Sequence, residues 1–271
     1  MPATRKLDKV IAITGASSGI GRAVAERAAS EGAAVVLSAR RVELLNEVVA
    51  AIVAKGGRAL AVPGDVTSEA DMHTLVARTV EAFGRIDVML CNAGIGYHDR
   101  FDTTSPNVMR RLMDVNVLGS LYAAHAALPR FRSQNSGHII AVSSIVGRRG
   151  IPGSTVYSAS KAAQIGFIEG LRGELYGTGI HASIVYPVST QTEFRAAIQR
   201  DFGHTVHGSG PSQSADDVAK CIVACIRSPR AEVYPYRTSK LLGIVAVIAP
   251  AFADRLVQKY SRQISQGADT K

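Results

Sequence analysis

The sequence predicts an α/β protein: a doubly wound parallel sheet with helices on both faces, followed by a helical C-terminal tail. Short segments that are apolar throughout, such as Val10–Thr14, are typical of strands covered on both faces. These segments alternate with longer ones of helical period, which is the pattern of parallel strands joined by helices. No linker, repeat or low-complexity stretch divides residues 1–271. We therefore predict one domain, with a core over residues 7–235 and an extension over residues 236–271.

The predicted elements follow the chain in a regular order. The first strand, Val10–Thr14, leads into a helix over Gly19–Ser30. Further strands are predicted over residues 33–38, 59–62, 86–91, 138–143 and 181–186. Further helices are predicted over residues 42–55, 107–132 and 156–176 and over Ala215–Arg227. Because a helix carries the chain back across the sheet, consecutive strands are expected to run parallel.

The net charge of +9 raises the question of a nucleic-acid partner. Residues 227–271 hold eight Lys or Arg against three Asp or Glu, and the rest of the chain is only mildly basic. The sequence has no dense Lys/Arg tract, and aromatic residues do not interleave with basic ones as they do in a strand-binding groove. The charge pattern therefore argues against nucleic acid as the main partner.

Composition and cysteine content indicate a soluble protein of a reducing compartment. Hydrophobic residues make up 46% of the chain and charged residues 20%. The N-terminus lacks the pattern of a signal peptide, and the longest apolar run, residues 241–249, is too short to span a bilayer. Three cysteines do not suggest a disulfide framework, and Cys221 and Cys225 are expected in the core rather than at a metal site. We expect a cytoplasmic protein without a metal.

A glycine-rich turn, Thr14-Gly-Ala-Ser-Ser-Gly-Ile-Gly21, follows the first strand and opens the first helix. Glycines permit a tight turn and close approach of the backbone, and a helix N-terminus offers unpaired N–H groups to a pyrophosphate. A purely structural turn is the alternative, but the position inside a strand–helix–strand unit favours dinucleotide binding. The cofactor-binding residues predicted in this turn are Gly15, Ser17, Ser18, Gly19, Ile20 and Gly21.

The motifs of this chain resemble those of the short-chain dehydrogenase/reductase superfamily, in its single-domain Tyr-x-x-x-Lys form. After the glycine-rich turn come, in the family's order, Asp65, Asn92-Ala-Gly94, Asn116, Ser144 and Tyr157-Ser-Ala-Ser-Lys161. The resemblance extends over residues 9–192. It implies a Rossmann-like fold, a nicotinamide cofactor, oxidoreductase activity on a carbonyl or alcohol group, and a homodimer or homotetramer.

The same resemblance assigns further cofactor contacts and marks two departures from the family pattern. Cys91 stands where many members have Asn, and Val188 follows Pro187 where the family generally has Gly. Val does not tolerate positive φ as Gly does, so the turn at Val188 is expected to differ. The implied contacts are Asp65 and Val66 at the adenine, Asn92, Ala93 and Gly94 along the ribose and nicotinamide, and Pro187 and Thr192 at the nicotinamide end.

The end of the second strand reads Ser38-Ala-Arg40-Arg41 and carries no carboxylate. In this family an acidic residue there binds the ribose 2′-hydroxyl, whereas an arginine can bind a 2′-phosphate through its planar fork. Arg40, with help from Arg41 or Arg22, therefore predicts NADP(H) rather than NAD(H). The alternative is that both Arg40 and Arg41 only decorate the start of the next helix.

Tyr157 and Lys161 are four residues apart on a helical pattern, so they share one helix face. A nearby ammonium favours the phenolate, so we expect Lys161 to bring the Tyr157 pKa towards neutrality. Ser144, at a strand end, can hold the substrate oxygen, and Asn116 resembles the family residue that holds a relay water. Taken singly, each has a structural alternative. Tyr157 and Lys161 could be an ordinary pair on a helix surface, Ser144 a strand-end cap and Asn116 a buried amide. Their joint occurrence after a dinucleotide turn favours catalysis by Asn116, Ser144, Tyr157 and Lys161.

These residues together predict an NADP(H)-dependent oxidoreductase that transfers a hydride between nicotinamide and a carbonyl or secondary alcohol. The substrate partner is a small molecule, and the apolar tail favours a hydrophobic one of medium size. One alternative enzyme is an NAD(P)-dependent alcohol or steroid-like dehydrogenase working in the oxidative direction. An alternative from another class is a catalytically silent redox sensor that binds NADP(H). A sensor needs no proton donor, so the complete Ser–Tyr–Lys set argues against it.

Two further segments lie outside the family motifs. Residues 197–214 have no clear period and hold several Gly and His residues, which predicts a mobile loop or lid. In the tail, residues 237–262, one face carries Phe252, Leu256 and Tyr260, and another carries Arg255, Lys259 and Arg262. The tail is either an amphipathic foot at a membrane surface or a segment that packs on its own subunit or a partner. We favour packing over peripheral membrane contact.

The predicted helices over residues 107–132 and 156–176 are the expected contact surfaces of the oligomer. Small residues on the second helix allow close approach of another helix: Ala159, Ala162, Ala163, Gly166 and Gly170. The same residues could instead pack the helix on its own sheet, and the sequence leaves both roles open.

Overall fold

The computed structural model describes residues 6–203, 212–255 and 257–258. Its strands are β1 (Val10–Thr14), β2 (Ala34–Ser38), β3 (Arg58–Ala61), β4 (Val88–Cys91), β5 (Gly137–Val142), β6 (Ile180–Val185), β7 (Ser189–Gln191), β8 (Ser212–Ser214) and β9 (Glu232–Val233). Its helices are α1 (Gly19–Ser30), α2 (Val42–Ala54), α3 (Glu69–Phe83), α4 (Pro106–Met113), α5 (Gly119–Gln134), α6 (Ile145–Arg148), α7 (Thr155–Glu174), α8 (Phe194–Phe202), α9 (Ala215–Arg227) and α10 (Ser239–Ile248). A short 3-10 turn covers Phe101–Thr103.

The central sheet has the strand order β3-β2-β1-β4-β5-β6-β9, and every pairing in it is parallel. The order reverses between β1 and β4, which opens a crevice at the carboxyl ends of these strands. Strands β7 and β8 form a separate parallel pair. This confirms the predicted Rossmann-like, doubly wound parallel sheet.

Alternating side chains of the strands face two apolar layers. Ile11 and Ile13 of β1 belong to the layer shared with α1, α2 and α9, while Ala12 belongs to the layer shared with α3, α5 and α7. All five residues of β1 and of β2 are buried. Burial on both faces explains why these strands are apolar throughout instead of alternating with polar residues.

The predicted and observed elements agree closely where the apolar pattern is strong. β1, α1 and α9 have the predicted bounds, and the other predicted strands differ by at most two residues at an end. The short strands β7, β8 and β9 are not predicted, because two or three residues, several of them polar, give no period to read.

The single helix predicted over residues 107–132 is wrong in its middle. A π turn over Asp114–Leu118 separates α4 from α5. The Asn116 carbonyl, within this wider turn, accepts hydrogen bonds from Ser120 Oγ and Gln164 Nε2. Single π turns interrupt helices frequently at functional sites, and apolar periodicity alone does not reveal them.

The irregular loop predicted over residues 197–214 is also partly wrong. Residues 197–202 belong to α8, in which Phe194 and Ile198 are one turn apart and face the same side. The helix ends at Gly203, whose φ of 73° is the left-handed C-cap that glycine favours. The glycine and histidine cluster that suggested a loop begins only there, and residues 204–211 lie outside the described residues.

The C-terminal tail contains the predicted helices, namely α10 and a helical stretch over residues 250–255. Ala246 and Ala253 are buried, whereas Val247 and Ile248 are 80% and 78% exposed. The tail therefore packs on the core through one side only. Leu256, Lys259, Tyr260 and Arg262, which define the two predicted faces with Phe252 and Arg255, lie outside the described residues. No helix among the described residues is long and apolar enough to cross a membrane.

Candidate active site

A cleft of about 770 Å³ lies at the carboxyl ends of the strands, beside the reversal of strand order. The glycine-rich turn, the loops after β2, β3 and β4, and parts of α6, α7, α8 and α10 surround it. Gly21 and Asn116 lie behind its surface. The predicted site residues that line it are Gly15, Ser17, Ser18, Gly19, Ile20, Arg40, Arg41, Asp65, Val66, Asn92, Ala93, Gly94, Ser144, Tyr157, Lys161, Pro187 and Thr192.

The glycine-rich turn is shaped for close backbone approach. Gly15 has φ +65°, and a Cβ there would lie 2.7 Å from Ala93 Cα. A Cβ on Gly21 would lie 2.5 Å from the Gly15 carbonyl oxygen. Ser18, which precedes α1, makes no side-chain cap, so the first-turn N–H groups have no side-chain partner. Such a cradle fits a diphosphate held by backbone N–H groups at a helix N-terminus.

The side chain of Asn92 braces this turn from the loop after β4. Its Nδ2 donates to the carbonyl oxygens of Thr14 at 2.9 Å and Gly15 at 3.1 Å. Thr14 Oγ1 in turn accepts from the main-chain N–H groups of Asn92 and Ala93, both at 3.1 Å. Asn92 thus ties the ends of β1 and β4 together, and its amide serves the shape of the cradle.

Arg41 reaches the glycine-rich turn more directly than Arg40 does. Arg41 Nη2 donates to Ser18 Oγ at 2.7 Å and to Ser17 Oγ at 3.2 Å. Its Nη1 donates to Glu193 Oε2 at 3.1 Å, at the start of α8. One guanidinium therefore joins the phosphate-binding turn to the opposite wall of the cleft.

Arg40 stands at the rim of the cleft, 58% exposed, with Nη1 3.9 Å from Asp65 Oδ2. Asp65 Oδ1 accepts from the main chain and the hydroxyl of Thr67, both at 2.9 Å. Arg22, the other predicted helper, does not line the cleft and pairs with Glu26 at 2.8 Å. The arginines at the end of β2 are thus the cationic groups beside the cradle.

Tyr157 and Lys161 come from the first two turns of α7 and face the end of β5. Lys161 Nζ lies 5.7 Å from the centre of the Tyr157 ring and donates to the carbonyl of Val142 at 3.0 Å. Ser144, the residue before α6, lines the same cleft, and its Oγ donates to the Pro187 carbonyl at 3.4 Å. The structure therefore brings the three predicted reacting side chains together.

Burial governs the charge state of this pair. It raises the pKa of Tyr157 to about 12, although the hydrogen bond with Ser144 acts in the opposite direction. It also lowers the pKa of Lys161 to about 7, because a buried ammonium loses its hydration. We predicted that Lys161 lowers the pKa of Tyr157. For the protein without a bound ligand this prediction is wrong, because desolvation of Tyr157 has the larger effect. Tyr157 is a protonated phenol at neutral pH.

Asn116 is fully buried and acts as an anchor behind the cleft. Its Oδ1 accepts from the Ile95 N–H at 2.8 Å, and its Nδ2 donates to the Ile95 carbonyl at 3.0 Å and to Ser160 Oγ at 2.9 Å. Its main-chain carbonyl accepts from Ser120 and Gln164, both at 2.8 Å. Side chains therefore occupy both acceptor positions of the main-chain carbonyl of Asn116, the residue for which the resemblance implies a water.

Gln164 is a buried polar residue that sequence reasoning missed. It lies three residues after Lys161, on the inner face of α7 that also carries Ile165 and Ile168. Its Oε1 accepts from Lys161 Nζ at 3.1 Å. The available signal was a polar amide within an otherwise apolar helical stripe, one turn from a predicted catalytic lysine.

The turn at Val188 lines the part of the cleft where the resemblance predicts the nicotinamide. Among the described residues, positive φ occurs at Asn135 and at glycines, so Val188 sits in an ordinary backbone conformation. The Pro187 carbonyl accepts from the Ile145 N–H at 3.0 Å, which fixes the turn against the start of α6. Thr192 packs on the glycine-rich turn, where a Cβ on Gly19 would lie 3.3 Å from it. The turn forms without the left-handed residue that glycine would allow.

An apolar wall faces the Tyr157 ring. The Phe194 ring centre lies 6.0 Å from that of Tyr157, and Ile198 follows one turn later on α8. His98, on another side, bonds through Nδ1 with Ser154 Oγ at 2.9 Å. The spacing of Phe194 and Ile198 in the sequence places them on one helix face. It does not show that this face lines the cleft opposite Tyr157. Cleft residues missed by sequence reasoning include Tyr97, His98, Phe194, Ile198, Tyr236, Leu242 and Val257.

A separate group of metal-ligand side chains lies on the outer surface of α3 and α5. Glu69, His73 and His125 each place one ligand atom within 4.8 Å of the others, and all three are exposed. None of them lines the cleft. The cleft chemistry described here rests on none of these three side chains.

Comparison with known proteins decides the family. The family model described as short chain dehydrogenase matches residues 9–202, which is most of the chain. The chain belongs to the short-chain dehydrogenase family. It is therefore an oxidoreductase with a fold that binds nicotinamide dinucleotides.

Curated relatives of this short-chain dehydrogenase include oxidoreductases of bacteria. An uncharacterised oxidoreductase of Listeria innocua is 42% identical over 193 residues, covering 70% of this chain and 78% of the relative. The ketoacyl reductase HetN of a Nostoc species is 31% identical over 254 residues, covering 92% and 88%.

Solved structures of similar proteins contain either form of the cofactor. A short-chain dehydrogenase from Burkholderia phymatum in complex with NAD is 26% identical, with a TM-score of 0.80, covering 91% of this chain and 96% of that one. An alcohol dehydrogenase from Thermococcus sibiricus complexed with 5-hydroxy-NADP is 26% identical, with a TM-score of 0.74, covering 83% and 95%. The fold thus accommodates both dinucleotides.

Proposed function

We propose that this short-chain dehydrogenase transfers a hydride between NADP(H) and a carbonyl or secondary alcohol, with Tyr157 as the proton donor and acceptor. The observation that supports this most directly is the cluster of Ser144, Tyr157 and Lys161 in the same cleft as a diphosphate cradle. When bound, the reduced nicotinamide supplies the hydride. The chain's own residues supply the proton and the electrostatic stabilisation.

In the direction of reduction, the Tyr157 phenol donates its proton to the carbonyl oxygen as negative charge develops there. Burial keeps this phenol protonated at neutral pH, which suits an acid. The Ser144 hydroxyl, which lines the same cleft, holds the same oxygen. The Lys161 ammonium stabilises the phenolate that remains after transfer. In the direction of oxidation Tyr157 must first lose its proton, so oxidative turnover is expected to rise with pH.

The choice of NADP(H) rests on the arginines at the end of β2. Arg41 lies against the glycine-rich turn, and Arg40 stands at the rim beside Asp65, 58% exposed. A 2′-phosphate placed beside them gains charge-assisted hydrogen bonds. No carboxylate ends β2 to accept from a 2′-hydroxyl, as an NAD-binding site of this fold would have.

The substrate we infer is a hydrophobic carbonyl compound of medium size. Phe194, Ile198 and Leu242 bring apolar surface from α8 and α10 to the side of the cleft that faces Tyr157. Apolar walls with a few polar groups at the reacting end favour ligands of this type. The relative HetN is named a ketoacyl reductase, and such an activity fits a substrate of this type.

Turnover with purified protein tests the proposal. NADPH oxidation would be followed by nicotinamide absorbance with a panel of ketones, aldehydes and quinones, with NADH in parallel. The control is Tyr157→Phe, which keeps the ring and removes the proton. We expect turnover with NADPH that falls by about 10³-fold or more in the variant, since a positioned general acid contributes about 10²–10⁴-fold.

Other outcomes would correct specific parts of the proposal. Turnover with NADH alone would contradict the role of the arginines. Unchanged turnover in Tyr157→Phe would contradict the role of Tyr157 as the proton donor. Cofactor binding without turnover on any compound of the panel would favour the redox sensor.

We also propose a homodimer or homotetramer in which α7 contacts a second copy. Gly166 and Gly170 are exposed on α7, and a Cβ added to either meets nothing within 4 Å. Their small size is therefore not required by packing on the sheet. Light scattering of the wild type and of Gly170→Arg tests this, with a smaller particle expected for the variant. A monomeric wild type would contradict it.

A further inference from the structure

Gln164 connects Lys161 to the π turn through a closed set of hydrogen bonds. It is fully buried, and its Oε1 accepts from Lys161 Nζ at 3.1 Å. Its Nε2 donates to the Asn116 carbonyl at 2.8 Å and to Ser120 Oγ at 2.7 Å. Each polar atom of this amide therefore has a partner inside the protein.

The surrounding bonds determine which way the amide points. Ser120 Oγ donates its own hydrogen to the Asn116 carbonyl at 2.8 Å, so towards Gln164 it can only accept. The Asn116 carbonyl is likewise an acceptor. Both N–H groups of the Gln164 amide are therefore needed as donors to the Asn116 carbonyl and Ser120 Oγ. A flipped amide would place its oxygen against these two acceptor oxygens. The Gln164 oxygen must therefore face Lys161.

We propose that Gln164 is a positioning residue that holds Lys161 as an ammonium directed into the cleft and links it to the Asn116 carbonyl without an intervening water. This inference rests on the proposed roles of Tyr157 and Lys161. An acceptor that cannot turn away favours the charged form of the amine and restricts its direction. Two of the three ammonium hydrogens then go to Val142 and Gln164, and the third remains for the cleft.

The other charged groups near Lys161 do not take over this role. The elements around it carry Asp114 in the π turn and Arg148 on α6. Neither forms a hydrogen bond or ion pair with Lys161 in the described part of the chain, and Arg148 pairs instead with Glu169 and Glu232. Tyr157 is the titratable group in contact, with its ring centre 5.7 Å from Nζ. Gln164 is therefore the side-chain acceptor that this ammonium has.

The test measures the titration of Lys161 directly, independently of turnover. Wild-type protein, Gln164→Met and Gln164→Glu would be labelled with ε-¹³C-lysine, and the Lys161 resonance, assigned with Lys161→Arg, followed against pH by NMR. Loss of one hydrogen bond to a charged group corresponds to a shift of about one pH unit. We expect the midpoint to fall by about that much in Gln164→Met and to rise in Gln164→Glu.

A matched control separates this effect from general loss of stability. Gln134→Met removes an amide that bonds to the main chain of Ile86, on the far part of α5. It should lower thermal stability without moving the Lys161 midpoint. The same midpoint in wild type and both Gln164 variants, with folded protein by circular dichroism, would overturn the inference.

Turnover provides a second readout that distinguishes the two proposals. The alkaline limb of the kcat/KM profile for reduction should move to lower pH in Gln164→Met and follow the NMR midpoint. A merely structural role would lower activity equally at every pH. If the midpoint moves but the wild type has no turnover with any carbonyl, the positioning role stands and the proposed function fails.

Discussion

The two sides of the cleft are built on different principles. The cofactor side, formed by the glycine-rich turn and the loops after β2 and β4, is held by main-chain geometry: positive φ at Gly15 and the bonds from Asn92 to two carbonyls. The substrate side, formed by α8 and α10, is held by apolar side chains and by exposed ion pairs such as Arg41 with Glu193. Only the first leaves a fixed pattern of residue types in the sequence.

The difference shows what each side can tolerate. The glycine-rich turn has no room for a Cβ at Gly15, so one added carbon atom there is expected to disrupt its shape. An apolar wall loses only the contact that one side chain makes, because its neighbours remain. Substitutions on the cofactor side should therefore have large, all-or-none effects, and those on the substrate side graded ones.

The largest effect is expected for Gly15→Ala, with Gly56→Ala as the matched control. Both glycines have left-handed φ, +65° and +77°, but a Cβ at Gly15 lies 2.7 Å from Ala93 Cα and one at Gly56 meets nothing within 4 Å. Left-handed backbone costs a non-glycine residue about 1 kcal/mol, and a backbone clash adds about 1–3 kcal/mol. Urea unfolding should show this difference.

The same pair separates stability from binding. NADPH titration followed by fluorescence should show no measurable binding to Gly15→Ala and normal binding to Gly56→Ala. Normal binding to Gly15→Ala would mean that the cradle adapts, and the contrast between the two sides of the cleft would be lost.

An intermediate effect is expected for the arginines that border both sides. Arg41→Ala should lower kcat/KM for NADPH by about 10–100-fold, with little change for NADH, because a hydrogen bond to a charged group contributes about 1.5–3 kcal/mol. Arg40→Ala should have a smaller effect, since Arg41 contacts Ser17 and Ser18 whereas Arg40 is more exposed. A larger loss in Arg40→Ala would instead support the prediction made from sequence.

The smallest effect is expected on the substrate side. Leu242 lines the cleft, while its neighbour Leu241 is 63% exposed and does not. Leu242→Ala should raise KM for an apolar carbonyl substrate about fivefold, since the contact contributes about 1 kcal/mol, and Leu241→Ala should leave KM unchanged. Equal KM values in both variants would remove α10 from the substrate site.

The sequence predicted the sheet well because its strands are buried on both faces, as in β1 and β2. Helix geometry placed Tyr157 and Lys161 on one face, and the family resemblance of the joint motifs placed them in one cleft with the glycine-rich turn. The sequence missed the π turn at Asn116 and the start of α8, since neither changes the apolar period enough to be read. Gln164 was missed because its partners are main-chain and hydroxyl groups from distant segments.

The two adjacent leucines of α10 face opposite surroundings, and this has a thermodynamic consequence. Leu242 lines the cleft, whereas Leu241 belongs to an outer apolar surface with Val247 and Ile248. A partner that binds this outer surface and shifts α10 changes the affinity of the cleft for its ligand. Reciprocity then requires the ligand to change the affinity of the outer surface by the same factor. Any association at the tail that shifts α10 is therefore linked to occupancy of the cleft.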